Sequence, residues 1–269
     1  MENVLAKMGI TILVVVYMIV GLVVELIGRS FGFDEQFRYM LVNVIILVYF
    51  IINIKSRNIV IDTCQNFVEN FKWKEILKIS IVLALCIRGI SLISLYTIDQ
   101  IRPELLVELP NGVSTSAVST IFLRINASFI APIVEELIFR GVILNRLAPK
   151  WGLTVGIIIS SVVFGLGHFP DCVSTFFCGI FLCVFYIEKQ NILFPIVIHL
   201  INNLSNTIII CLLFILGSDI SDDAITSDSS DLIVGIVLVI PTMLYIIKYL
   251  KQNWFIKNTQ IDSNINQQK

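Results

Sequence analysis

Two carboxylates and a guanidinium stand inside the apolar run Pro132-Ile-Val-Glu-Glu-Leu-Ile-Phe-Arg140. A charged side chain at the centre of a spanning helix costs about 2.5 to 3.5 kcal/mol on insertion scales, so Glu135, Glu136 and Arg140 require pairing or a task. Glu136 and Arg140 are four residues apart and share a helix face in the favourable acid-first order. Glu135 lies about 100° away around the helix, which leaves its carboxylate outside that pair. Two further helical pairs follow, Phe164 with His168 and His199 with Asn203. The chain has only two histidines, and both sit in apolar runs beside these partners, which favours a joint chemical task over two separate core imidazoles. Pro132, Pro170 and Pro195 lie within four residues of Glu135, His168 and His199 respectively. Each proline loosens nearby backbone hydrogen bonding, which a membrane tolerates where the backbone meets protein or a hydrated cavity. The plainer reading is that proline is simply commoner in spanning helices.

A carboxylate, two imidazoles and a carboxamide are the parts needed to hydrolyse an amide. Glu135 can take a proton from water while His168 orients or activates that water. His199 and Asn203 can donate hydrogen bonds to the developing oxyanion, a contribution of about 3 to 4 kcal/mol per donor in hydrolases. Alternatively, Glu135, His168 and His199 hold a divalent metal such as zinc and leave one position for water. The sequence has no His-Glu-x-x-His, and both mechanisms stay open.

The elements that must position these groups are spanning helices. Of 269 residues 57% are hydrophobic and 14% charged, against about a quarter charged in soluble chains. This composition predicts an all-α, polytopic membrane protein. Apolar runs at about 9–27, 38–54, 78–97, 119–145, 152–168, 173–187, 192–216 and 232–250 predict eight spans across a ~30 Å hydrocarbon layer, the fifth and sixth short and joined by a tight turn or re-entrant segment. Thirteen Lys and Arg then fall on the side of both termini and three on the other, which predicts cytoplasmic termini in a cell membrane. The chain divides into N-terminal helices with an interfacial segment (1–118), a helical core carrying the polar residues (119–216), an acidic loop with the last helix (217–257) and a disordered tail (258–269). The stretch from Lys55 to Glu75 reads as an interfacial helix or a plain loop. Glu25, Arg88 and Arg124 read as structurally paired or snorkelling charges. The six cysteines form no Cys-x-x-Cys pair and act as small hydrophobes. No basic tract with interleaved aromatics suggests nucleic acid, and the lack of an internal repeat counts against a transporter.

Glu135-Glu136-x-x-x-Arg140, Phe164-x-x-x-His168 and His199-x-x-x-Asn203, in that order on successive helices, resemble the three motifs of the CPBP intramembrane proteases, also called the CAAX protease and bacteriocin-processing or Abi family. The resemblance covers residues 119–216. It implies an endopeptidase acting on a membrane-associated peptide or protein within the lipid bilayer, with Glu135 and His168 activating water and His199 and Asn203 stabilising the oxyanion. Glu136, Arg140 and Phe164 would support them. The family is often labelled metalloprotease, although a metal-independent glutamate mechanism has been argued for it. Eukaryotic members trim prenylated CAAX proteins, and many bacterial ones serve bacteriocin self-immunity or peptide maturation. The Ile/Asn/Lys-rich usage, short length and absence of a targeting peptide point to a bacterial source. The alternative is a non-catalytic membrane immunity or binding protein. One expectation is awkward for catalysis. Counted from the cytoplasmic ends of the expected spans at ~1.5 Å per residue, Glu135 and His199 lie ~10 to 16 Å deep but His168 ~24 Å.

Overall fold

A computed structural model describes residues 2–54, 57–107, 116–216 and 228–267, with side chains described to Gln252 in the last helix. Among the described residues all regular structure is helical. The helices are α1 (Ile10–Ser30), α2 (Glu35–Asn53), α3 (Arg57–Asn70), α4 (Trp73–Ile101), α5 (Ala117–Trp151), α6 (Leu153–Leu166), α7 (Cys172–Lys189), α8 (Leu193–Ile215) and α9 (Ser229–Gln267), with single turns at Glu2–Leu5 and Glu104–Val107. Seven of them, all but α3 and α6, are long and apolar enough to cross a membrane. The expected fifth span is the exception. Its helix has 14 residues, about 21 Å, which is short of the ~30 Å layer.

The turn between α1 and α2 is built from residues that suit it. Gly32 adopts φ 67°, and the Asp34 carboxylate accepts from the N–H groups of Gln36 and Phe37 at 2.8 and 3.2 Å to start α2. Glu25 is paired, with Arg29 at 2.5 Å and Arg38 at 2.9 Å. The Lys55–Glu75 stretch is largely the helix α3. The Asn191 amide reaches it by donating to the Thr63 carbonyl at 2.8 Å and to Asn66 Oδ1 at 3.0 Å, while Phe67 packs on Phe194. Most of the expected acidic loop lies outside the described residues. At its end Asp228 starts α9, accepting from the backbone N–H groups of Ser230 and Asp231 at 2.7 and 3.2 Å. The Ser230 hydroxyl, followed by those two N–H groups, holds the Asp228 carboxyl below the usual range.

Two hydrophobic clusters organise the bundle, and α7 is the wall they share. Its Cys183, Val184 and Tyr186 pack with residues of α1, α2 and α5, while Phe181, Leu182 and Phe185 pack with α4, α8 and α9. The α4–α9 crossing is close because Gly89 meets Gly235. A Cβ on Gly89 would stand 2.8 Å from the Gly235 carbonyl oxygen, so either side chain would push the backbones apart.

The hairpin of α5 and α6 corrects the expected depths. The span around the glutamates does not end near residue 145 but continues to Trp151, where Gly152 reverses the chain at φ 92°. Glu135 is then sixteen residues, about 24 Å, from the reversal. His168, sixteen residues beyond Gly152 in the turn that follows α6, reaches about the same level. The sequence places Lys150 and Trp151 past the apolar run, which hid the final turns of α5.

Candidate active site

Helix α5 changes register twice around its glutamates. A π-helical stretch runs from Asn126 to Ile130, an α-helical one from Ala131 to Glu136, and a second π-helical one from Leu137 to Leu144. Pro132 explains a contact within this pattern. In the π register the Ala131 N–H bonds the Asn126 carbonyl five residues back, so the next carbonyl, that of Ala127, would look to the N–H that Pro132 lacks. The Asn203 amide of α8 donates to the Ala127 carbonyl at 2.8 Å instead. Neighbouring hydroxyls join the same two helices, Ser128 to Thr207 at 2.8 Å. Asn43 of α2 donates to Asn126 Oδ1 at 3.0 Å, and these bonds tie the π stretch on both sides.

Glu136 and Arg140 are fully buried and joined at 2.7 Å. The other guanidinium arm donates to the Gly179 carbonyl of α7 at 3.0 Å, and the Phe164 ring lies 4.8 Å from the guanidinium carbon. Glu136 Oε1 also accepts from His199 Nδ1 at 2.8 Å. His168 Nδ1 is 2.7 Å from the Phe164 carbonyl oxygen. A carbonyl and a carboxylate only accept, so both imidazoles carry hydrogen on Nδ1. Both Nε2 atoms then turn toward Glu135. His168 Nε2 is 3.8 Å from Oε1 and His199 Nε2 is 3.7 Å from Oε2. Glu135 and His168 keep side-chain exposures of 24% and 32%, against 6% for His199, so the site is more open on the His168 side than on the His199 side. The Phe164 ring backs both imidazoles, with centroids 4.6 Å from His168 and 5.9 Å from His199.

The structure thus brings Glu135, His168 and His199 together, sets Glu136 and Arg140 beneath them, and holds Asn203 one helical turn beyond His199. The contact between Glu136 and His199, 63 residues apart, has no sequence signal. Neither has the electrostatic influence of Glu135 on Tyr17 of α1.

The separations of 3.7 and 3.8 Å exceed a direct hydrogen bond and suit one water bonded to an imidazole and the carboxylate together. They also bear on zinc. Two donors each 2.0–2.1 Å from a tetrahedral ion stand about 3.3 Å apart, closer than the donors stand here. Among the described residues no group of three His, Cys, Asp or Glu is arranged to hold a metal ion. The donor types would suit zinc, but the spacing does not.

A polytopic, all-α membrane protein with a Glu/His cluster set between its helices is the class that this fold and site define. Residues 117–205, about a third of the chain, match the family model described as Type II CAAX prenyl endopeptidase Rce1-like. The match runs from the start of α5 into α8 and contains all three motifs. No curated protein and no solved structure matches the chain.

Proposed function

We propose that this protein is an intramembrane endopeptidase that hydrolyses a peptide bond of a membrane-associated peptide or protein. The observation that carries the reading is the convergence of two imidazole Nε2 atoms on the Glu135 carboxylate at 3.7 and 3.8 Å, each ring fixed through its Nδ1. Glu135 takes a proton from a water that His168 Nε2 orients, and the resulting hydroxide attacks the carbonyl carbon. His199, carrying on Nε2 a proton taken up from solvent before attack and returned after the products leave, donates it in a hydrogen bond to the oxyanion while Glu136 balances the imidazolium through Nδ1. The second Asn203 amide hydrogen, the one not given to Ala127, supplies the other donor. The proton on Glu135 then passes to the leaving amine as the C–N bond breaks. No step requires an ion. Elemental analysis and chelation check this, because activity in metal-free protein is expected and its loss on chelation with recovery on adding zinc would overturn the glutamate-only route.

We further assign the chain to the group that serves bacteriocin self-immunity or peptide maturation in bacteria, with both termini cytoplasmic. The test compares peptide termini in membrane fractions of cells carrying wild type, Glu135→Ala or His168→Ala. A set of termini present only with wild type is the expected result and names the substrate. Identical termini in all three, with toxin protection intact, would identify a non-catalytic immunity protein. Asn203→Ala is expected to slow cleavage by about 10²-fold, as loss of one oxyanion donor does. Measured turnover in reconstituted protein checks it, with KM nearly unchanged.

A further inference from the structure

Arg88 is a charge that the site does not use. Lys78 and Asp99, 21 positions apart, bracket the apolar part of α4 over roughly 31 Å, which matches the ~30 Å hydrocarbon layer. Arg88 is ten residues from one and eleven from the other, at the middle of that layer. Its place in an apolar run predicts structural pairing or snorkelling, and neither fits its surroundings. Arg88 is exposed and, among the described residues, takes part in no ion pair or hydrogen bond. Headgroups lie about 15 Å away on either side, beyond the reach of one arginine side chain.

Its place on the helix shows what is missing. Cys86 and Ile90, buried in the core, lie about 160° around α4 from Arg88, and Gly89, which meets α9, lies about 100° away. The Arg88 face is therefore turned from the bundle. On that face, on the Lys78 side of Arg88, Ile81 and Leu85 are 50% and 40% exposed, an apolar strip that ends on one cation, beyond which Ser91 turns into the bundle and bonds Ser174 at 3.0 Å. Lipid tails cover the strip but cannot satisfy a guanidinium. A guest that satisfies both is an apolar helix with a single carboxylate at mid-depth.

We propose that this face of α4 docks a transmembrane segment of a partner protein through an ion pair between Arg88 and a mid-span Asp or Glu. The proposal does not depend on peptidase activity. The test places the full chain in phosphatidylcholine nanodiscs with a synthetic Leu/Ala transmembrane helix bearing one central Glu, or Gln in its place, and reads association by energy transfer. Wild type is expected to bind the Glu helix about tenfold more tightly than the Gln helix. Arg88→Gln is expected to erase that preference while the unfolding midpoint holds, and Arg88→Lys to keep part of it. Equal binding of the two helices by wild type, or a preference that survives Arg88→Gln, would overturn the proposal. Retention of phosphatidylglycerol that depends on Arg88, without preference for the Glu helix, would reassign the site to an anionic lipid. Self-association that depends on Arg88 in peptide-free discs would reassign it to a second copy of this chain.

Discussion

Glu135→Gln is expected to lower turnover on a membrane peptide by roughly 10²- to 10⁴-fold, the usual contribution of a positioned general base. The amide keeps the shape of the carboxylate but cannot accept the water proton. The fold should hardly notice, because the ion-pair contacts of Glu135 are those at 3.7 and 3.8 Å with the two histidines, too long for direct hydrogen bonds. The unfolding midpoint in detergent is therefore expected to stay put. A single-turnover assay on a labelled peptide in proteoliposomes, run beside that unfolding measurement, checks both parts. A variant that cleaves at the wild-type rate would remove Glu135 from the mechanism.

Arg140→Leu has the opposite signature, a large loss of stability by about 3 to 5 kcal/mol. Its guanidinium and the Glu136 carboxylate are both at 0% exposure, and removing one partner leaves the other charge in the core with only His199 against it. Arg140→Lys should not rescue it. An ammonium lacks the planar fork that serves Glu136 and the Gly179 carbonyl together at 2.7 and 3.0 Å. The double variant Glu136→Leu with Arg140→Leu is expected to recover much of the lost stability, since replacing both members of a buried pair with apolar groups is often neutral. It should remain inactive, because His199 Nδ1 loses the acceptor that orients its ring. Chemical unfolding and turnover measured on the three variants separate the two effects. Recovery of activity together with stability would show that Glu136 serves packing alone.

Several features of the site were legible because they are local. Four-residue spacing put Glu136 with Arg140 and left Glu135 on another face, and that contrast holds in a single helix whatever surrounds it. The scarcity of charge and the length of the apolar runs predicted a helical membrane protein, because a spanning backbone must satisfy its own hydrogen bonds. The runs on either side of Pro170 both read as short spans, yet α7 is long enough to cross a membrane and α6 is not.

Other features arise only between helices. Continuation of α5 to Trp151 depends on a hairpin with α6, so a hydropathy boundary near residue 145 underestimated the depth of Glu135. Pro132 was readable as a break, but not that Asn203 would take the carbonyl it releases. The bond from His199 to Glu136 joins residues on different helices, and the electrostatic influence of Glu135 on Tyr17 falls on a span without a motif. Composition and spacing by themselves determined the class of fold, the chemical groups and which charges pair along one helix. Tertiary structure decided which groups meet across helices and at what depth, because packing sets those contacts and no local periodicity encodes them. It also left Arg88 exposed and without an ion pair or hydrogen bond among the described residues.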